Sequence, residues 1–245
     1  MEAQKLKKSI CFAVRKVADV APCDLARMSE ELLSRFAQST QNEEYISSIT
    51  RSGAVKTSER LSALLLLADM IDLMGDTPSR LVLARADGGK PYFSGEGRMP
   101  AFSLSHSDGY VACAVALDGD GLGVDIEGGG RIDELRRKKI AERYFLEGEL
   151  EDYKKYAKEK CSPSDVFTER EAFLKIWTAK EALCKLGGDG GPYRVDSTSL
   201  PSGVAITSYA LEGDGEPSAI ASLCAPTCAD VCFLPVKGCL SLRRL

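Results

Sequence analysis

The 245-residue sequence has a single histidine, a single tryptophan and, among nine cysteines, no CxxC pair. One histidine argues against zinc catalysis of the usual His-rich kind. An odd cysteine count without paired spacing argues against a disulfide framework, so reduced thiols in a cytoplasmic protein are expected. Cys224, Cys228 and Cys232, with Cys239 beyond, form the one metal-like grouping. Beside Pro226 and the apolar run CFLPV, they read as small hydrophobes of a strand and turn rather than as ligands.

A basic excess is missing too. Lys plus Arg number 32 against 36 Asp plus Glu, a net charge of -4, which excludes the broad positive footprint of a nucleic-acid binder. The most apolar run, Leu64 to Ala68, is bounded by Glu59, Arg60, Asp69 and Asp72 and falls far short of a bilayer span. Lys5, Lys7 and Lys8 open the chain like a secretory leader, but Arg15 and Lys16 interrupt the apolar stretch and leave Ser9 to Val17 as a first strand. No low-complexity tract occurs, and 44% apolar with 28% charged residues is the make-up of a folded globular chain.

What is present alternates strands with helices. A strand near Ile10 to Val17 is followed by helices near Cys23 to Ala37 and Ser58 to Met74, then strands near Arg80 to Ala86, Ala101 to Ser105 and Tyr110 to Leu117. The Asp118-Gly119-Asp120-Gly121 turn divides an N-terminal α/β half, 1–118, from a C-terminal half, 119–245. Beyond it come a strand from Leu122 to Glu127 and helices near Ile132 to Phe145 and Glu149 to Tyr156. A long helix follows from about Asp165 to Leu186, stopped by Gly187-Gly188.

Four groups of residues carry chemistry. In Gly123-Val124-Asp125-Ile126-Glu127, strand alternation sends Asp125 and Glu127 to one face and Val124 and Ile126 to the other. An isolated D-x-E is more often a solvated face. In the long helix, Lys180 and Glu181 continue the stripe begun by Phe173, Ile176 and Trp177, where a buried face that is simply ending explains them equally well. His106 stands between Ser105 and Ser107, two hydroxyls suited to gripping a phosphate or incidental to a turn. Gly88-Gly89-Lys90-Pro91-Tyr92 joins a cation to a flexible backbone and also suits a plain surface loop.

Taken in order, GKPYF, FSLSHSDGYVACAV, GLGVDIE, RKKIAERYFLEGE and FLKIWTAKEALCKLGG closely resemble the Sfp-type 4′-phosphopantetheinyl transferases from about Gly89 to Gly188. SERLSALLLL is similar to that family's arginine-bearing helix and places Arg60.

The resemblance implies an α+β fold of two similar α/β halves about a pseudo-twofold axis, with coenzyme A in the cleft between them. It implies Mg2+ on Asp125, Glu127 and Glu181, whose hard oxygens suit that ion. Contacts to coenzyme A fall on Arg60, Lys90, Pro91, Ser105, His106, Lys180 and Lys185, with Lys180 also stabilising diphosphate charge. A serine of an acyl or peptidyl carrier protein would attack the β-phosphate and release 3′,5′-ADP. Glu127 is favoured over Glu181 to take the serine proton. The carrier would dock on 128–145, where Arg131, Arg136, Arg137, Lys138 and Lys139 gather, a cluster that a solvated helix face explains equally well, and the enzyme would act as a monomer. Two rivals stand beside this: a non-catalytic relative that binds coenzyme A or a carrier protein, and a magnesium-dependent phosphodiesterase.

Overall fold

A computed structural model describes residues 9–17, 22–51, 53–118, 121–130, 132–158, 168–187, 196–211, 219–227 and 229–245. Gly119, Asp120, Arg131, Cys228 and Gly188, to which the sequence assigned roles, lie outside the described residues.

Ten strands and six helices are described: β1 (Ile10–Lys16), α1 (Pro22–Arg35), α2 (Thr40–Thr50), α3 (Ala54–Leu73), β2 (Val82–Arg85), β3 (Pro91–Ser94), β4 (Ala101–Ser107), β5 (Tyr110–Ala116), β6 (Gly123–Gly128), α4 (Glu134–Tyr144), α5 (Glu147–Lys158), α6 (Glu169–Gly187), β7 (Val204–Leu211), β8 (Ala219–Pro226), β9 (Val231–Phe233) and β10 (Leu242–Arg244). Among the described residues no helix is long and apolar enough to cross a membrane.

The architecture is α+β, in two four-stranded sheets ordered β4-β5-β1-β9 and β10-β7-β8-β6, plus a β2-β3 ribbon. Strand alternation builds the layers. Cys11 and Ala13 of β1 and Val111, Cys113 and Val115 of β5 face a core of helical leucines, including Leu61, Leu64 and Leu67 of α3. The opposite side of the same strands, Phe12 and Val14 with Ala112 and Ala114, packs on Val124 and Ile126 of β6 and Leu223 of β8. The two sheets thus meet face to face, the Phe12 and Tyr209 rings 5.4 Å apart between them. On the far side of the second sheet, α6 covers β6 and β8. A helix–sheet–sheet–helix sandwich results.

Local chemistry fixes the ends of α6. Thr168 and Glu171 form a reciprocal capping box, the Thr168 N–H donating to Glu171 Oε2 at 2.6 Å and the Glu171 N–H to Thr168 Oγ1 at 3.3 Å. Gly123 sets how closely the helix lies on β6. A Cβ there would stand 1.9 Å from the Ala182 carbonyl oxygen and 2.7 Å from the Leu186 nitrogen. Only glycine lets the two backbones touch.

Helix α2 was not expected from the sequence; it is capped by Ser39, whose side chain accepts from the Asn42 N–H at 3.1 Å. Late in the chain, β9 pairs in parallel with β1, Cys11 opposite Cys232, and covers the edge of β1 that β5 leaves open.

Candidate functional site

The site grows from two edge strands lying side by side. β4 borders the first sheet, β6 borders the second, and they run against each other where the sheets meet. Alternate serines of β4 join them. Ser103 Oγ accepts the Val124 N–H at 3.0 Å, Ser105 Oγ donates to Asp125 Oδ1 at 2.7 Å, and Ser107 Oγ donates to Glu127 Oε2 at 2.6 Å. Both carboxylates of the D-x-E strand are therefore held in fixed orientations by hydroxyls. The alternation of Ser103, Ser105 and Ser107 was visible in the sequence, but a run of small hydroxyls does not announce its partners.

Helix α6 brings the remaining groups. Lys185 Nζ donates to Asp125 Oδ1 at 2.7 Å and to Ser105 Oγ at 2.9 Å. Glu181, one turn earlier, has its carboxyl pushed up to about 6, first by burial and then by the charge of Asp125, against the opposing pull of Lys185. Asp125 is 5% exposed, and its Oδ2 is buried with no hydrogen-bond partner among the described residues. This corner is short of positive charge.

Those observations fit a divalent cation in donor chemistry. The described residues hold no ready-made cluster of three or more His, Cys, Asp or Glu side chains around one point. Mg2+ does not require one, because it commonly binds through one or two carboxylates while keeping water and substrate phosphate oxygens as its other ligands. The orphaned Asp125 Oδ2 and the strained Glu181 carboxyl are the two groups such an ion would relieve.

A cavity of about 290 Å³ opens beside this corner, lined by Gly88, Gly89, Lys90, Pro91, Glu181 and Lys185 among others. A second, of about 200 Å³, shares Gly89, Pro91 and Leu104 with it and continues to His106, Arg60, Arg85 and Tyr45. Together they run along the seam between the halves. Lys90 closes part of that seam by donating to the carbonyls of Leu122, at 3.2 Å, and Lys185. Burial, with the Lys185 charge, lowers its pKa.

Arg85 and Tyr45, stacked cation over ring at 4.7 Å, were missed in the sequence because no motif marks them. His106 points away from the D-x-E strand. Its Nδ1 lies 2.9 Å from Glu59 Oε2, while Glu59 Oε1 accepts the Gly109 N–H at 2.9 Å.

Several expected residues are engaged by partners within the protein. Lys180 is fully buried and its Nζ is 2.6 Å from Glu149 Oε2, on the side of α6 facing α5. Glu149, itself 0% exposed, also accepts from the Ser197 N–H at 2.8 Å and the Leu146 N–H at 2.9 Å. Helical arithmetic placed Lys180 and Glu181 on one stripe, yet neighbouring residues sit roughly 100° apart and here serve different neighbours. Ser105 is engaged with Asp125 and Lys185 rather than turned outward as a phosphate grip. Arg137 is bound to Glu169 at 2.6 Å and Lys138 pairs with Glu134. Arg136 and Lys139 remain exposed on α4 beside Leu135, which is 65% exposed. Trp177 packs parallel to Phe173 at 6.3 Å, within the aromatic core under α6. Cys224 is a core residue whose thiol burial pushes up to about 12.

Residues 121–219 match the family model described as the 4′-phosphopantetheinyl transferase superfamily. Over 157 residues the chain is 30% identical to the 4′-phosphopantetheinyl transferase gsp of Aneurinibacillus migulanus, covering 63% of this chain and 59% of that one. Over 143 residues it is 32% identical to a 4′-phosphopantetheinyl transferase of Bacillus subtilis, covering 52% and 56%. The chain thus spans little more than half the length of these curated relatives. The segment that is similar to the 4′-phosphopantetheinyl transferase superfamily contains both carboxylates of β6 and all of α6.

Proposed function

We propose that the chain transfers the 4′-phosphopantetheine arm of coenzyme A to a serine of an acyl or peptidyl carrier protein, releasing 3′,5′-ADP, as a Mg2+-dependent cytoplasmic monomer. The observation that carries this reading is the juxtaposition of Asp125, Glu181 and Lys185 with a seam that continues to His106 and Arg60. Residues of both halves line that seam, so one chain suffices to build the site. The six described cysteines are free thiols, which suits a reducing compartment.

In this mechanism the basic end of the seam, with Arg60, Arg85 and His106, holds the nucleotide phosphates of coenzyme A. The diphosphate then extends toward Lys185 and the carboxylate corner. Asp125 and Glu181, with Glu127 beyond, would hold Mg2+, which when bound supplies charge for the diphosphate oxygens. Lys185 keeps Asp125 oriented and adds a second cation. Glu127, fixed by Ser107, takes the proton of the attacking carrier serine. The exposed Arg136, Lys139 and Leu135 of α4 offer an acidic carrier helix both charge and an apolar contact. Lys180 acts at one remove, holding α6 on α5 rather than touching substrate.

The test is direct. Purified protein is incubated with coenzyme A, Mg2+ and an apo carrier protein, and the carrier's mass is followed beside a Glu181→Ala sample. A gain of one phosphopantetheinyl group, lost in the variant and on chelation of the metal, is expected. No gain with any of several carriers, despite measurable coenzyme A binding, would overturn transfer in favour of a non-catalytic binder.

A further inference from the structure

We propose that Glu59 makes anion binding at His106 dependent on uptake of a proton, by dictating which ring nitrogen carries hydrogen. This rests on the reading that the seam binds a phosphate-bearing ligand; the assignment of Glu59 itself rests on geometry alone.

Glu59 sits on α3 and is 4% exposed. One carboxylate oxygen accepts the Gly109 N–H at 2.9 Å and the other lies 2.9 Å from His106 Nδ1. A carboxylate only accepts, so Nδ1 must be the donor and the neutral ring is the Nδ1–H form. Nε2 is then left with a lone pair, and it has no partner among the described residues. His106, 28% exposed, lines the cavity that also holds Arg60 and Arg85.

A lone pair facing an anion repels it. To donate to a phosphate oxygen, Nε2 must first gain a hydrogen, and the only route that keeps the Glu59 bond is protonation of the ring to imidazolium. One proton passes from solvent to Nε2, no bond to carbon breaks, and the resulting cation lies between the Glu59 carboxylate and the ligand anion. The groups facing the ring are Glu59 and Arg60 from α3, Arg85 from β2, Tyr45 from α2 and Lys185 from α6. Burial chiefly, with the Arg60 and Lys185 charges, lowers the pKa of His106 against the raising pull of Glu59. The unliganded ring is therefore neutral near pH 7 and has a proton to gain. An anionic ligand, adding negative charge opposite Glu59, supplies the drive for that gain.

Glu59 thus acts as a positioning residue, and its replacement by glutamine has an unusual expected effect. In Glu59→Gln the amide oxygen keeps the Gly109 bond while its NH2 donates to Nδ1, which forces the Nε2–H tautomer. That neutral ring donates to phosphate without further protonation.

Because the chain has one histidine, its 15N imidazole spectrum is unambiguous. The wild type without ligand is expected to show the Nδ1–H tautomer and Glu59→Gln the Nε2–H tautomer. Calorimetry with coenzyme A at pH 8, in buffers of different ionisation heat, should give uptake approaching one proton per ligand for wild type. Uptake should fall near zero for Glu59→Gln and, as an independent variant, for His106→Gln. An Nε2–H wild-type ring, or equal proton uptake in wild type and Glu59→Gln, overturns the proposal while leaving coenzyme A binding standing. Failure of the wild type to bind coenzyme A overturns the ligand reading, and the coupling with it, even where the tautomers are as expected.

Discussion

Lys180 and Glu149 meet as an ion pair of 2.6 Å in which neither side chain has any exposure. Burying two charges is unfavourable unless each is fully satisfied, and breaking such a pair typically costs about 3–5 kcal/mol. Lys180→Met or Glu149→Gln alone is therefore expected to lower unfolding stability by about that amount, and the double change Lys180→Met with Glu149→Leu to recover much of it. Chemical denaturation checks this. Loss of transfer by Lys180→Met at unchanged stability would instead return Lys180 to the substrate.

Glu181 predicts a stabilising substitution inside the site. Its carboxyl is pushed up to about 6, above the ordinary 4.5 of a glutamate, so between those pH values the folded chain holds the proton more tightly than the unfolded one. Stability from this group is greatest below pH 4.5, falls as pH rises to 6, and stays lowered above. Discounted for partial exposure, the penalty at pH 7.5 is about 1–2 kcal/mol. Glu181→Gln should be more stable than wild type by that margin at pH 7.5 and equal to it at pH 4.5, while losing transfer. Denaturation at the two pH values decides it.

Gly123→Ala inserts a methyl 1.9 Å from the Ala182 carbonyl oxygen. Backbone cannot swing aside as a side chain can, so a loss of about 3 kcal/mol is expected. Transfer should fall even where the variant remains folded, because α6 carries Glu181 and Lys185 away from Asp125. Urea midpoints and activity below the midpoint separate the two effects.

Ser107→Ala removes the hydroxyl holding Glu127. Stability should change by about 1 kcal/mol and kcat should fall about tenfold, with KM for coenzyme A unchanged. A change confined to KM would place Ser107 at the nucleotide instead.

The D-x-E strand was legible because two-residue alternation is enough to put Asp125 and Glu127 on one face, and Lys185 was legible through the motif that contains it. Lys180 was not, since its partner Glu149 lies on another helix and nothing in WTAKEALCK foretells a buried acid there. Glu59 escaped for the same reason: it neighbours Arg60 in sequence, but its meaning comes from His106, on a strand reached only after the first half closes. Helix α2, TQNEEYISSIT, has too few apolar residues for its period to show. The three residues of β9 were too short a run to signal a strand, and their place is set by the exposed edge of β1.

That last pairing bears on synthesis. As the chain emerges from the ribosome, β1 and β5 are complete long before residue 231, so β1 waits with one flank of backbone groups unpaired while more than a hundred residues follow. During that interval the edge carrying Ile10, Cys11 and Phe12 is open to strands of other nascent chains. This flank of β1 is covered only when β9 returns to it, so closure of the first sheet waits on a contact of high sequence separation.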